Sequence, residues 1–279
     1  MTFHETFAKL HRTYERKALR MLLKEFQALG KKIPYELLTP ENAEAVIKLT
    51  LNNAGLEKAL FKIHLTIGKS YGNLEARRYR KFREQKKFKP LPLFNEAFQQ
   101  YILDFYTREG GDRIVILTDT YVEEVVKVMK IATENNETIA QMRDRIFETV
   151  NKPNFYKWQA LRIARTETTF AMNSAASIGS QVSGVVMEKV WYTYRDSRVR
   201  DTHAEMEGKV VPSDEYFELS SGVKLKFPGD KQAEGRLKDV KRALINCRCS
   251  VSHRAKLDEN GLFIFTDEPP SATAIPVLA

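Results

Sequence analysis

The sequence changes period near Val185, and that change constrains the fold more than any other feature. Upstream, apolar residues recur at helical spacing. In "TFHETFAKLHRTYERKALRMLLKEFQALGKK" they fall at Phe7, Leu10, Tyr14, Ala18, Met21, Leu22, Phe26 and Leu29, one stripe of a 3.6-residue period. Gly30 and Pro34 stop that helix. Thr39 as cap and Pro40 at the first helical position open a second in "LTPENAEAVIKLTLNNAG". A longer helix is predicted from Leu56 to about Phe88, loosened near Gly68 and Gly72. "PLFNEAFQQYILDFYTREGG", "LTDTYVEEVVKVMKIATENN" and "TIAQMRDRIFETVN" read as three more. "NFYKWQALRIARTETTFAMNSAASIGSQVSG" reads as a long amphipathic helix closed near Gly184.

Downstream the pattern is short β-branched and aromatic runs: "KVWYTYR", "KVV", "VKLKF", "CSVSHRA" and "LFIFTDE". Turn signals separate them: "MEGK", "SSGVK", "FPGD" and "DENG". The expectation is therefore an α+β chain. A mainly α-helical N-terminal domain spans 1–152, a small α+β module with short antiparallel strands spans 153–265, and 266–279 is an extended tail.

The formal net charge is +9, which favours a polyanionic partner such as DNA or an acidic protein surface. Residues 68–90 concentrate Lys69, Arg77, Arg78, Arg80, Lys81, Arg83, Lys86 and Lys87, with Tyr71, Tyr79, Phe82 and Phe88 between them. Basic residues interleaved with aromatics suit a phosphate backbone. A solvated helix face with its aromatics buried behind it explains the same run, as does docking on an acidic oligomer. No apolar run approaches the ~18–20 residues that span a bilayer. The N-terminus lacks the apolar core of a signal peptide, so a reducing compartment is expected.

The two cysteines sit one residue apart in "INCRCS", residues 245–250. A disulfide between them would close a strained ring and lock almost no chain entropy. Upstream, "WYTYRDSRVRDTHAEMEGKVV" gathers Asp196, Arg198, Arg200, Asp201 and His203. His203, Cys247 and Cys249 could supply three ligands to a tetrahedral zinc, with Asp196 or His253 as the fourth. The metal-free alternative is a small fold stitched by Asp–Arg pairs, its thiols acting as small hydrophobes. A cysteine nucleophile assisted by His203 and Asp196 would sit beside a second thiol that invites oxidation. Glu167, Asp196, Asp201 and Glu205 could serve a metal-dependent nuclease or other DNA-processing enzyme, but no recognisable spacing pairs them. Glu167 otherwise reads as a helix residue pairing Arg165 or an arginine of the β region, and Asn173 as a cap or bridge. There is no Walker loop, GxGxxG or HExxH.

Taken in order, "ARTETTFAMNSAA", "GVVMEKVWYTYRDSRVRDTHAEMEGKVV", "SSGVKLKFPGD" and "INCRCSV" resemble the head morphogenesis, or minor head, proteins of tailed phages similar to the F protein of phage Mu. The resemblance covers roughly residues 155–255. Arg165, Glu167, Asn173, Trp191, Asp196, Arg198, Arg200, His203, Gly208, Pro228, Gly229, Asp230, Asn246, Cys247, Arg248 and Cys249 match its motifs. It implies a minor capsid component rather than an enzyme, with no catalytic residue. That component would reside in the virion, at the capsid interior or portal vertex, after assembly in the host cytoplasm. Its expected partners are the portal protein, the major capsid or scaffold protein and double-stranded DNA, with no membrane. Some relatives carry a toxin-like enzyme domain after this module, and this chain is read as ending before one. A shared zinc would join the N-C-R-C edge to the His203 edge where a small β region lacks core.

Overall fold

The computed structural model describes residues 2–39, 41–51, 55–84, 98–103, 123, 125–151, 157–181 and 184–265. They belong to two units that interleave along the chain. One comprises Met1–Ala18, Ile63–Asp104 and Arg162–Ala279; the other comprises Leu19–Lys62 and Phe105–Leu161.

The first unit holds the start of α1 (Phe3–Gly30), most of α3 (Gly55–Glu84) and most of α5 (Lys157–Gln181). Phe7, Tyr14 and Ala18 form the buried stripe of α1 here, as the period predicts. His11 lies in the same stripe and is fully buried, a polar residue where the pattern asks for an apolar one. Helix α3 runs unbroken through Gly68 and Gly72, against the expected loosening. A Cβ on Gly68 would lie 2.0 Å from Phe98 Cζ. The glycine therefore admits a ring rather than breaking the helix.

Helix α5 departs from the amphipathic expectation over residues 168–176, which are all buried. Its polar members Thr168, Thr169, Asn173 and Ser174 are enclosed with Phe170, Ala171, Met172, Ala175 and Ala176. A helix covered on every side is the centre of a unit, not its surface.

Around it lies a three-stranded antiparallel sheet of order β2–β1–β5, with β1 at Met187–Tyr192, β2 at Val210–Pro212 and β5 at Ser250–Ala255. Val190 pairs with Val210 and with Ser252, and Trp191 with Val251. A two-residue pair, β3 (Phe217–Glu218) with β4 (Lys224–Leu225), forms a second small sheet. Two short helices, α6 (Asp201–Ala204) and α7 (Leu237–Leu244), stand in the connections before β2 and β5. Helices followed by a small antiparallel sheet make the chain α+β, as the change of period foretells.

The second unit is helical: the remainder of α1, a 3-10 turn at Tyr35–Leu37, α2 (Ala43–Leu51), helical residues 125–134 and α4 (Ile139–Asn151). Leu22, Phe26 and Leu29 continue the buried stripe of α1. Helix α2 begins at Ala43, later than the expected start after Thr39; Pro40 lies outside the described residues, and Thr39 pairs with Asn42 in the turn before the helix. Its hydroxyl accepts the Asn42 N–H at 3.3 Å while Asn42 Oδ1 accepts the Thr39 N–H at 2.8 Å, a reciprocal capping pair. The Tyr35 ring meets Phe147 edge-on at 5.1 Å, and Arg143 Nε donates to the Leu38 carbonyl.

Candidate metal centre

Strand β1 ends at Trp191 and Tyr192, and both chain segments beside that end bring potential ligands. On one side, residues 193–200 lead into α6, which carries His203. The turn folds back onto β1 because Gly208 N–H donates to the Trp191 carbonyl and Trp191 N–H to the Lys209 carbonyl. On the other side, the connection from α7 enters β5 through Asn246, Cys247, Arg248 and Cys249. His203 Nδ1 lies 3.7 Å from Cys247 Sγ and 3.5 Å from Cys249 Sγ. All three side chains are buried. Trp191 covers them, its ring edge-on to His203 at 5.3 Å and to Phe217 at 5.3 Å.

Helix α5 holds the cysteine segment through three residues of one face, Thr166, Thr169 and Asn173. Thr166 Oγ1 accepts the Asn246 N–H at 3.0 Å, and Thr169 Oγ1 donates to the Cys247 carbonyl at 2.5 Å. Asn173 Nδ2 donates to the Cys249 carbonyl at 3.0 Å while its Oδ1 accepts the Val251 N–H at 3.0 Å. Strand β5 is a sheet edge, and an unpaired edge presents orphan backbone groups. The Asn173 amide answers one carbonyl and one N–H of that edge as a neighbouring peptide would. Its second Nδ2 hydrogen goes to the Pro228 carbonyl at 2.8 Å. The "PGD" turn follows from that contact. Gly229 has φ +82°, and a Cβ there would lie 3.0 Å from Thr169 Cγ2. The Asp230 carboxylate closes the turn, accepting the N–H of Lys226 at 2.8 Å and of Gln232 at 3.0 Å.

The charges around the centre are sorted by burial. Cys247 is held well below the usual thiol range, chiefly by its hydrogen bond with Cys249 and then by His203. Cys249 is pushed up by the same hydrogen bond and by burial. Burial also raises the Asp230 carboxyl. His11 is lowered to about 3 by burial, then by Arg165 and Arg248, so its ring is neutral. Thr169 spends its proton on the Cys247 carbonyl. Its oxygen therefore accepts from His11 Nε2, 2.9 Å away.

Residues 122–252 match the family model described as phage Mu protein F like protein. Those residues are similar to that family. The match begins upstream of the expected start near residue 155. The chain is also 35% identical over 185 residues to the NAD(+)–arginine ADP-ribosyltransferase EFV of Enterococcus faecalis. The aligned part covers 56% of this chain and 36% of that protein, so this chain spans about a third of the relative's length. No solved structure matches significantly.

The motif residues are joined by hydrogen bonds and ion pairs. The structure brings His203, Cys247 and Cys249 together, and their ligand atoms lie within 4.8 Å of one another. It brings neither Asp196 nor His253 into that group. Asp196 is instead gripped by Arg248, at 2.6 Å from Nη1 and 2.8 Å from Nη2, with Arg198 Nη2 at 3.4 Å. That bidentate pair is first among the influences that lower its carboxyl to about 2. The Arg248 guanidinium also stacks over Tyr194 at 4.4 Å, and Arg200 donates to the Ile245 carbonyl. Thus the Asp–Arg stitching and the thiol–imidazole cluster coexist, side by side.

Glu167 pairs neither Arg165 nor an arginine of the β region. It accepts from His64 Nε2 at 2.6 Å and from Lys231, whose ammonium sits 4.7 Å from the Phe170 ring. Arg165 reaches Glu15 at 3.1 Å and Asn246 Oδ1 at 3.4 Å. The carboxylates proposed for a nuclease are not gathered: among the described residues no group of three metal-ligating side chains includes them. Of the basic stretch, Lys69 donates to Gln99 Oε1 at 2.8 Å and Arg77 is exposed. The side chains of Arg78, Arg80, Lys81 and Arg83, and all of Lys86 and Lys87, lie outside the described residues. His11, His64 and Lys231 escaped the sequence reading. A lone histidine inside an apolar stripe was the signal for the first two.

Proposed function

We propose that this chain is a minor head protein that associates with the portal vertex of a tailed phage or prophage and assists procapsid assembly. The family match over residues 122–252 carries the reading. Two features support it. The motif residues are spent on internal hydrogen bonds and ion pairs, which suits an assembly module. The net charge of +9 suits a site near packaged DNA, where Lys69, Arg77 and the basic residues after them would meet phosphates. The residues from Pro269 onward and the N-terminal helices are the proposed portal contacts. No helix among the described residues is long and apolar enough to cross a membrane.

The experiment is co-expression with the portal protein of the same phage, followed by pull-down and by sedimentation of assembled heads. The expected result is that the chain travels with portal rings and heads in few copies. Deleting residues 269–279 or the helices before residue 152 should weaken that association. A chain that stays in the supernatant while heads sediment would contradict the assignment.

A further inference from the structure

We propose that His203 Nδ1, Cys247 Sγ and Cys249 Sγ bind one zinc ion, with solvent in the fourth position. Zinc–sulfur bonds of about 2.3 Å and a zinc–nitrogen bond of about 2.1 Å at the tetrahedral angle place sulfur and nitrogen about 3.6 Å apart. The two observed separations are 3.7 and 3.5 Å. A hydrogen bond would explain one sulfur beside one ring nitrogen. Two sulfurs at nearly the same range from that single nitrogen describe ligands around a shared centre. The other ring nitrogen, Nε2, is buried and has no hydrogen-bond partner, so all of the ring's polar contact is at Nδ1.

Charge points the same way. A bound ion would hold both buried sulfurs as thiolates and neutralise them, and the nearby arginine is committed elsewhere. Arg248 stands between the cysteines in sequence, yet its guanidinium faces Asp196 and Tyr194. Two thiolates with one imidazole form a soft donor set that suits zinc rather than magnesium or calcium. Among the described residues no fourth His, Cys, Asp or Glu joins the group. The ion would clamp the α6 turn to the entry of β5, the two segments that flank the end of β1. The polar face of α5 already fixes the backbone of Asn246–Val251, so the two sulfurs are held in place. This site stands independently of the head-protein reading.

The test uses the full chain, purified without a His-tag or chelator. Elemental analysis should find about one zinc per chain, and both thiols should resist a thiol reagent until a chelator is added. Cys247→Ser, Cys249→Ser and His203→Ala should each lose the metal, whereas Asp196→Ala should keep it. Because the first three could misfold, cobalt(II) exchange into the unaltered protein gives a second reading. The thiolate-to-cobalt charge-transfer absorption should appear and disappear with zinc competition. Less than about a tenth of a zinc per chain, against the full stoichiometry of a protein zinc site, would overturn the proposal. So would freely titrating thiols before chelation, or a cobalt spectrum without thiolate character. Loss of zinc in a folded Asp196→Ala would overturn the three-ligand assignment.

Discussion

Asn173→Leu is the substitution that tests how the module is held together. Leucine matches asparagine closely in size, so the site stays filled while three hydrogen bonds vanish. The Pro228 carbonyl, the Cys249 carbonyl and the Val251 N–H then lose their Asn173 partners in a buried setting. Each orphaned buried group costs about 1–3 kcal/mol. Partial relaxation and the carbonyls' second lone pairs reduce the sum, leaving an expected loss of about 3–5 kcal/mol. That is a large share of the ~5–15 kcal/mol that stabilises an ordinary domain. Asn173→Asp should be no better: it keeps an acceptor for Val251 but turns a carboxylate toward two carbonyls. Urea unfolding followed by tryptophan fluorescence measures the change. The chain has two tryptophans. Trp191 is fully buried whereas Trp158 is half-exposed, so a Trp158→Phe background isolates the reporter within the module. Hydrogen exchange at the Val251 amide gives a local check. A loss under about 1 kcal/mol, the net worth of one ordinary hydrogen bond, with Val251 protection unchanged, would refute the edge-pairing argument.

Two further outcomes follow from charges. Lys189 is buried, donates to the Glu215 carbonyl, and has its ammonium lowered from 10.5 to about 8 by burial and then by Lys226. The unfolded chain therefore binds more protons between about pH 8 and 10.5, so the module should gain stability as pH rises through that window. Lys189→Met should accordingly stabilise it by up to about 3 kcal/mol at pH 7, an advantage that fades by pH 10.5; equal destabilisation at both pH values in thermal melts would count against the burial cost. If Arg77, Arg78, Arg80 and Lys81 all reach DNA phosphates, changing the four to Gln should flatten the slope of log affinity against log salt by up to about 3.6. An unchanged slope returns the stretch to a solvated helix face.

The sequence by itself determined the class of fold and the identity of the clustered histidine and cysteine side chains. Helical and strand periods are local properties, written by each residue's neighbours three, four or two positions away. Hence the stripe from Phe7 to Leu29 and the change at Val185 were legible, and the turn that opens α2 was legible to within a few residues. The grouping of His203 with Cys247 and Cys249 was legible too, from chemical type and from their place at opposite ends of a small strand region. Tertiary structure alone decided which polar partners meet. Asp196 goes to Arg248 rather than to the thiols, and Glu167 meets His64 and Lys231. Asn173 completes the edge of β5, and Gly68 makes room for Phe98 instead of breaking its helix. Such contacts join residues up to about a hundred positions apart and leave no period in the sequence. A carboxylate or amide can satisfy itself with many partners, and only the packed core fixes which of them comes within hydrogen-bonding distance.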